Sequence, residues 1–310
     1  MAQSLNGAEL MRAAVLGSPV AHSLSPALHT AAYRQLGLTG WRYDRVELVE
    51  DALPSFLDEL GADWAGLSLT MPLKQAVIPL LDEISPLAAA LGVVNTVTFS
   101  PSVVGAAGGV AGLGAGPGAG TDLQDPSVRA RRGDNTDVAG IERALRAAGV
   151  AHAGTAVVLG AGATAASAVA ALRALGCEQV LVCARSQARA TTVLQAGDRL
   201  GVKVSVRVLH QAAAAVAGAD VVVSTVPAGG LDALAASLRP GRPGAVLLDV
   251  VYDPWPTVLA ATWAAAGGRV VTGVEMLLHQ AAEQVRLMTG RAPDLGAMRA
   301  ALPATAAHVR

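Results

Sequence analysis

Residues 156–165 read Ala-Val-Val-Leu-Gly-Ala-Gly-Ala-Thr-Ala, a short apolar run followed at once by a glycine-rich turn. The apolar run is a candidate strand, and the alanine-rich segment 166–175 favours a helix. In a strand–turn–helix unit of this kind, Gly160 allows the sharp turn, Gly162 lets the backbone approach a pyrophosphate, and Ala165 keeps helix and strand close. The free N–H groups that begin the helix then face the phosphates. The stretch therefore predicts a dinucleotide-binding Rossmann unit.

The next predicted strand, residues 179–184, indicates which dinucleotide is bound. A site for NAD usually has Asp or Glu at the end of this strand to hold the ribose 2′-hydroxyl, and an acid there would repel a 2′-phosphate. This chain instead has Ala184, followed by Arg185 and Ser186, with Arg189 one helical turn later. Two guanidinium groups and a hydroxyl suit a phosphate, so the sequence favours NADP over NAD.

The composition limits the class of protein. With 310 residues, 52% hydrophobic and 15% charged, the chain is long enough for two domains with a substantial core. A formal net charge of −1 lacks the concentrated positive charge that nucleic acids and anionic membranes require, so neither is expected as a partner. The uncharged stretch 147–172 is long enough to span a bilayer, but the strand, turn and helix explain it better. Cys177 and Cys183 form no disulfide or metal pattern, so we expect a cytoplasmic protein without a metal site.

The first part of the chain alternates between strand and helix patterns, which predicts an α/β layer with a largely parallel sheet. Strands are expected at 12–16, 43–48, 65–69 and 93–99, and helices at 25–36, 53–60 and 73–80. Segment 101–132 differs, because it is rich in glycine, lacks periodicity and ends in the basic run 129–132. A structureless loop of this length is unusual in a compact domain, so we interpret it as a mobile hairpin insertion whose basic run is solvated.

The second part of the chain has the pattern of a complete Rossmann domain. A helix at 138–148 precedes strands expected at 155–159, 179–184, 204–208, 220–224, 245–249 and 269–272. The last helix, 274–288, has an apolar stripe and follows the completed unit, so it should pack back on the first domain. The predicted parts are an N-terminal α/β domain over 1–136, a Rossmann domain over 137–273 and a helical segment over 274–310.

Polar side chains cluster at several predicted helix starts. Ser23 and Ser25 begin a helix whose free N–H groups suit a carboxylate, although Ser25 acting only as an N-cap is the competing interpretation. Lys74 lies in the first turn of its helix, where the helix dipole disfavours a cation. A lysine at this position therefore suggests a functional role. Asp134 precedes a helix that Asp137 is expected to cap, so local structure leaves Asp134 unexplained. For any one cluster, a solvated surface is the alternative.

Taken in order, these motifs resemble those of the shikimate dehydrogenase family, and the resemblance covers nearly the whole chain. The matching segments are 17–29, 69–74, 92–96, 133–137, 160–165, 185–189, 249–252 and 273–280. Each segment is modest by itself, but their common order is highly specific. The resemblance implies reduction of 3-dehydroshikimate to shikimate with NADPH, a step of aromatic amino-acid biosynthesis, in a cleft between an N-terminal α/β substrate-binding domain and a Rossmann NADP-binding domain.

The resemblance also implies the roles of individual residues. Lys74 and Asp134 would be the catalytic pair, in which an ammonium oriented by a carboxylate serves hydride transfer to a ketone without a metal. The substrate would contact Ser23, Ser25, Thr70, Asn95, Tyr252 and Gln280. The cofactor would contact Gly160, Ala161, Gly162, Ala163, Thr164, Ala165, Arg185, Ser186, Arg189, Thr225, Val226 and Gly273.

Three departures from the family pattern and two alternative functions accompany this interpretation. One departure is the segment 101–132, which is longer than usual in the family. Ser68 stands where many family members have asparagine, and Ala184 replaces another frequent asparagine. An NAD-dependent quinate/shikimate dehydrogenase is one alternative, against which the missing acid after Ala184 counts. A non-catalytic sensor of pathway metabolites is the other, but it would typically lose Lys74 or Asp134, and both are present. Both a monomer and a homodimer remain open.

Overall fold

The computed structural model describes residues 10–101 and 129–303. Its first sheet contains β1 Met11–Gly17, β2 Trp41–Glu47, β3 Trp64–Leu69, β4 Glu83–Ile84, β5 Thr96–Pro101 and β6 Arg129–Asp134. Helices α1 Ser25–Gln35, α2 Leu53–Asp58, α3 Leu73–Ala76 and α4 Pro86–Leu91 connect these strands. The strand order is β2-β1-β3-β5-β6-β4. Strands β1, β2 and β3 are parallel, and β5 runs antiparallel to both β3 and β6.

The first sheet is covered on both faces because its central strands are apolar on both sides. Ala13 and Val15 of β1 pack into a core with the apolar face of α1, whereas Ala14 and Leu16 pack into a second core with α2 and α3. Successive side chains of a strand point to opposite faces, so one apolar run serves both cores. Strand β3 is buried along its whole length. The carboxyl ends of β1 and β3 therefore lie at one edge, between two layers of helices.

The second sheet is entirely parallel. Helix α5 Asp137–Ala147 leads into β7 Ala156–Leu159, β8 Gln179–Ala184, β9 Lys203–Val208, β10 Val221–Ser224, β11 Val246–Asp249 and β12 Arg269–Thr272. The connecting helices are α6 Ala163–Ala174, α7 Thr191–Leu200, α8 Ala212–Gly218 and α9 Val258–Ala265. The order β12-β11-β10-β7-β8-β9 reverses direction between β7 and β10. This strand order confirms the predicted Rossmann architecture. In doubly wound sheets, ligands bind at the carboxyl ends of the strands where the order reverses.

Helices α5 and α10 Gly273–Thr289 join the two sheets. After β12, α10 packs against α5 and α1, and α11 Leu295–Ala300 follows it. Leu278, Ala281 and Val285 of α10 enter the same core as Leu28 and Tyr33 of α1. The prediction that the last helix packs back on the first sheet is therefore confirmed. Within the described ranges, no helix has the length and apolar character needed to cross a bilayer.

Two predicted helix caps are wrong. Leu24, rather than Ser25, is the N-cap of α1, and Ser25 is the first helical residue with its side chain buried. Thr136, rather than Asp137, is the N-cap of α5, so Asp137 lies inside the first turn. Both side chains are thereby released from capping and can face the space between the sheets.

The segment 101–132 also differs from its prediction. Residues 129–132 are not a solvated run, because they form most of β6 and pair with β5. The Arg129 guanidinium donates hydrogen bonds to the carbonyl oxygens of Trp64 and Phe99, which anchors the strand to the sheet. β4 and α4, which precede this segment, were not predicted either. The expectation of mobility concerns residues 102–128, which lie outside the described residues.

Candidate active site between the two sheets

Two adjoining cavities open where the carboxyl ends of the two sheets face each other. The first, of about 400 Å³, lies beside β1, β3 and the start of α10, and we call it the first-sheet cavity. The second, of about 470 Å³, lies over the turn between β7 and α6, and we call it the glycine-turn cavity. Thr70, Lys74 and Thr164 line both cavities, so a ligand in one would meet a ligand in the other at these side chains.

A larger open groove of about 770 Å³ lies elsewhere, along the face of β8 and β9 beside α8. Its lining includes His152, Glu178 and Arg207, none of which is a predicted site residue. The predicted residues concentrate in the two smaller cavities, which are therefore the candidate site.

Lys74 forms a buried ion pair with Asp137 at the junction of the cavities. Lys74 Nζ lies 2.6 Å from Asp137 Oδ2, and the two side chains are 13% and 1% exposed. Asn95 Nδ2 donates to the other carboxylate oxygen of Asp137 at 2.6 Å. Lys74 follows β3, Asn95 directly precedes β5, and Asp137 follows β6. Since β5 runs antiparallel to both neighbours, its amino end lies at the same edge as the carboxyl ends of β3 and β6.

The pairing of Lys74 with Asp134 that the sequence suggested is corrected by this geometry. Asp134 ends β6, and its Oδ1 accepts hydrogen bonds from Ser85 Oγ at 2.9 Å and from the Asn135 backbone N–H at 2.7 Å. Asp134 therefore organises the connection between β6 and α5. The sequence interpretation paired Lys74 with the carboxylate that does not form its ion pair, because it treated Asp137 as a helix cap. The sequence did contain the residue that pairs with Lys74, since the motif 133–137 includes both Asp134 and Asp137.

The predicted substrate residues lie around the first-sheet cavity. Its lining includes Ser23, Ser25, Thr70, Tyr252 and Gln280. Asn95 is fully buried and reaches the site through its hydrogen bond to Asp137. Burial raises the pKa of the Tyr252 hydroxyl, which keeps this group a neutral donor.

Ser68 also lines this cavity, although it was not predicted as a substrate contact. Tyr43, which is not part of the lining, donates from its Oη to Ser68 Oγ at 2.6 Å. Burial raises the pKa of Tyr43, so its hydroxyl keeps its proton and acts as a donor. Because Tyr43 occupies one lone pair of Ser68, the serine hydroxyl hydrogen is available to the cavity. The replacement of asparagine by Ser68 was visible in the sequence, but the supporting tyrosine was not.

Most of the predicted cofactor residues line the glycine-turn cavity. They are Gly160, Ala161, Gly162, Ala163, Thr164, Arg185, Arg189, Thr225 and Val226. The other three predicted contacts lie apart from it. Ala165 is fully buried under the turn, Ser186 is exposed beside the arginines, and Gly273 lines the first-sheet cavity against the backbone of Val250.

The glycine-turn cavity has the features that a dinucleotide phosphate requires. Gly160 has a φ of +106°, which side chains rarely adopt. A Cβ at Gly162 would meet no atom within 4 Å, so the space above the turn is open. Among the described residues, no side chain caps the start of α6, which leaves the first-turn amides for an anion. Arg185 and Arg189 add positive charge at the far end of the cavity. These residues fit NADP.

Comparisons with known proteins agree with this organisation. Three family models match: the shikimate dehydrogenase substrate-binding domain over 15–97, shikimate/quinate 5-dehydrogenase over 142–231, and the shikimate 5′-dehydrogenase C-terminal domain over 273–302. The shikimate dehydrogenase (NADP(+)) of Thermus thermophilus is 36% identical, with 94% of this chain and 97% of that protein covered.

Solved structures give the same result. The crystal structure of Mycobacterium tuberculosis shikimate dehydrogenase is 41% identical and superposes with a TM-score of 0.78, covering 94% of this chain and 98% of that one. The Thermus thermophilus shikimate 5-dehydrogenase, solved in complex with NADP(H) and shikimate, is 34% identical with a TM-score of 0.73, covering 94% of this chain and 100% of that one.

Proposed function

The chain belongs to the shikimate dehydrogenase family, and we propose that this NADP-dependent dehydrogenase reduces 3-dehydroshikimate to shikimate. The observation that carries the proposal is the position of Lys74, which lines both cavities and is paired with buried Asp137. A group that serves two reactants in one step must border both of them. We propose the predicted division of the chain as well, with a substrate-binding domain over 1–136, a Rossmann cofactor-binding domain over 137–273, and the segment 274–310 returning to the first domain.

The chemistry requires a proton donor and a cation beside the reacting carbonyl. Addition of hydride to a ketone leaves negative charge on the carbonyl oxygen. When bound, NADPH supplies this hydride. Lys74 Nζ then donates a proton to the oxygen, and its positive charge stabilises the developing anion. Asp137 holds the ammonium in place through the 2.6 Å contact and balances its charge. In the reverse direction, the Lys74 amine accepts the proton from the hydroxyl of shikimate.

The polar groups of the first-sheet cavity supply the binding energy in this proposal. Ser23 and Ser25 lie at the start of α1, where hydroxyl and backbone N–H donors suit the substrate carboxylate. Tyr252 contributes a neutral hydroxyl from the loop after β11, and Gln280 contributes an amide from α10. Uncharged donors fit a polyhydroxylated ring. Because the groups come from both sheets and α10, the substrate would be held where the two parts of the molecule meet.

The proposed preference for NADPH follows from Arg185 and Arg189. Both arginines line the glycine-turn cavity just after β8, the strand whose end faces the ribose 2′ position in this motif. Guanidinium groups bind a phosphate with charge-assisted hydrogen bonds. The described residues that line the glycine-turn cavity include no Asp or Glu. The free ribose 2′-hydroxyl of NADH would therefore lack its usual acceptor.

A direct assay tests the proposed function. Purified protein would be mixed with 3-dehydroshikimate and NADPH, and the loss of NADPH absorbance recorded, with NADH and with quinate plus NAD as parallel reactions. The proposal expects a clear preference for NADPH and for the shikimate pair. A higher kcat/KM for quinate with NAD would identify a quinate dehydrogenase instead. Tight binding of shikimate by calorimetry, with no turnover in either direction, would identify a metabolite sensor.

A further inference from the structure

A continuous hydrogen-bonded chain of buried side chains leads from the core of the first sheet to Asp137. Its members are Tyr33, His29, Gln284, Thr96, Asn95 and Asp137, and each is at most 2% exposed. The successive contacts are Tyr33 Oη to His29 Nδ1 at 3.4 Å, His29 Nε2 to Gln284 Oε1 at 3.3 Å, Gln284 Nε2 to Thr96 Oγ1 at 3.1 Å, Thr96 Oγ1 to Asn95 Oδ1 at 2.9 Å and Asn95 Nδ2 to Asp137 Oδ1 at 2.6 Å. We call this series the Asp137 chain.

The orientation of the Asn95 amide is fixed by a neighbour with only one hydrogen-bonding role. The backbone N–H of Thr136 can only donate, and it lies 2.8 Å from Asn95 Oδ1. The hydroxyls of Thr96 and Thr136 also lie within 3.1 Å of this oxygen. The oxygen of the amide therefore faces these donors, and the NH₂ group faces Asp137. A flipped amide would set its oxygen against the carboxylate.

The orientation of the Gln284 amide is fixed in the same way. Gln284 Nε2 lies 3.5 Å from the backbone carbonyl oxygen of Asn95, which can only accept. Gln284 Nε2 also donates to Thr96 Oγ1. Because Thr96 accepts this hydrogen bond, its own hydroxyl hydrogen is free to point at Asn95 Oδ1.

The remaining links follow from the neutral state of His29. Burial lowers the pKa of His29 to about 3, so the imidazole carries a single proton near neutral pH. Gln284 Oε1 can only accept, which assigns that proton to Nε2 of His29. Nδ1 is then the acceptor for the Tyr33 hydroxyl. Every donor in the Asp137 chain thus points toward Asp137.

We propose that Gln284 is a positioning residue for the reaction, and this inference rests on the proposed function because it acts through Lys74 and Asp137. Gln284 directs the hydroxyl of Thr96 onto Asn95, and Asn95 then presents its NH₂ group to one oxygen of Asp137. The other oxygen is left in line with Lys74 Nζ. Without Gln284, the Thr96 hydroxyl can turn toward Thr136 Oγ1, 3.1 Å away, and Asn95 loses one of its three donors.

The surroundings of Gln284 support a specific task. It lies on the face of α10 that packs into the core, next to Ala281 and Val285, which are both fully buried. A buried amide in such a place is costly unless its hydrogen bonds are made. An apolar residue would continue the stripe of α10 without that cost. The amide is therefore better explained by its connection to Asp137 than by packing.

The experiment compares Gln284→Leu and Thr96→Val, which remove two links of the Asp137 chain, with His279→Leu. His279 is a matched control, because it is buried on the same helix and its Nε2 has no partner within residues 10–101 and 129–303. We expect kcat to fall roughly 2- to 10-fold in both chain variants, the effect of one lost hydrogen bond. The KM for 3-dehydroshikimate and the calorimetric Kd for shikimate should stay within about twofold, since the cavity lining is intact.

The profile of kcat against pH separates positioning from stability. We expect the pH profile of kcat to change in the Gln284→Leu and Thr96→Val proteins, because both substitutions alter the hydrogen bonds that reach the Lys74–Asp137 pair, and to stay unchanged in His279→Leu. The double variant should be no slower than the slower single variant, because both act on one chain. Wild-type kcat and pH profile in a folded Thr96→Val or Gln284→Leu protein would overturn the inference. Inactivity of the wild-type enzyme would instead refute the proposed function.

Discussion

Lys74 Nζ lies 2.6 Å from Asp137 Oδ2 although 63 positions separate the two residues in the chain. Taking two charges out of water is expensive, and their attraction only partly offsets that cost, so a buried ion pair is weak evidence for stability. The second carboxylate oxygen of Asp137 accepts a hydrogen bond from Asn95. A pair that is buried, satisfied and placed where two cavities meet is better explained by catalysis than by folding.

The first prediction separates the two candidate carboxylates. We expect Asp137→Asn and Lys74→Met to lower kcat by about 10²–10⁴-fold, because each removes part of the proton-transfer pair. Asp134→Asn should keep kcat within about fivefold of wild type, since its amide oxygen can still accept from Ser85 and Asn135. Steady-state kinetics with 3-dehydroshikimate and NADPH give the comparison. The assignment would be reversed by an Asp134→Asn enzyme that is inactive beside an active Asp137→Asn enzyme.

The fold could be predicted from the sequence where local patterns are strong. The second sheet was recognisable because β7, β10 and β11 are short, mostly apolar, buried runs, β9 alternates apolar and polar residues, and the glycine turn after β7 is specific. β6 was missed because its buried contacts are made by arginine stems and guanidinium groups, with Arg129 bonded to carbonyls of β3 and β5. No hydrophobic periodicity marks such a strand.

The site could be predicted to the level of motifs but not of partners. Lys74 was identified, whereas the choice between Asp134 and Asp137 depends on which residue caps α5, and boundaries of helices are poorly determined by sequence. The Asp137 chain could not be predicted at all. It joins residues of α1, β5 and α10 that are as many as 255 positions apart, and only tertiary packing brings Gln284 to His29.

The second prediction concerns stability in acid. His29 titrates near 6.5 when unfolded and has a pKa of about 3 when folded. Between these values the unfolded chain binds one more proton, so this group makes the free energy of unfolding fall as the pH falls, by up to about 1.4 kcal/mol per pH unit. We expect the His29→Gln protein to show a shallower decrease of unfolding free energy between pH 7 and pH 4, measured by urea denaturation.

The matched control for His29 is Tyr33→Phe, which alters the same cluster but keeps the imidazole. Its unfolding free energy should decrease with falling pH as steeply as that of wild type. Equal slopes for wild type and His29→Gln would mean that the imidazole is solvated or already charged in the folded protein.

The third prediction concerns the contact between α5 and α10. A Cβ at Gly140 would lie 2.8 Å from the carbonyl oxygen of Met276 and 3.0 Å from Gln280 Cβ. Replacing glycine by alanine inside a helix normally adds about 1 kcal/mol of stability. Here the new methyl group must push α10 away, so we expect Gly140→Ala to lower Tm and to raise the KM for 3-dehydroshikimate through displacement of Gln280. Thermal unfolding and steady-state kinetics measure the two effects.

Gly218→Ala is the control for this substitution. Gly218 ends α8, and a Cβ there would meet no atom within 4 Å. Its replacement should leave KM unchanged and keep Tm equal to that of wild type or slightly higher. A Gly140→Ala protein that is as stable and as active as Gly218→Ala would show that the two helices separate without cost.

The last prediction concerns the choice of cofactor. Arg185 and Arg189 both line the glycine-turn cavity, and their positive charge is expected to meet the 2′-phosphate. Each charge-assisted hydrogen bond contributes roughly 1.5–3 kcal/mol, so Arg185→Ala combined with Arg189→Ala should weaken NADPH binding by at least tenfold and leave NADH binding nearly unchanged. The preference should disappear rather than invert, because neither substitution adds an acid for the 2′-hydroxyl. Fluorescence titration of both cofactors gives the two Kd values. Equal losses for NADPH and NADH would mean that the arginines act on the pyrophosphate or on folding, and the 2′-phosphate would need another site.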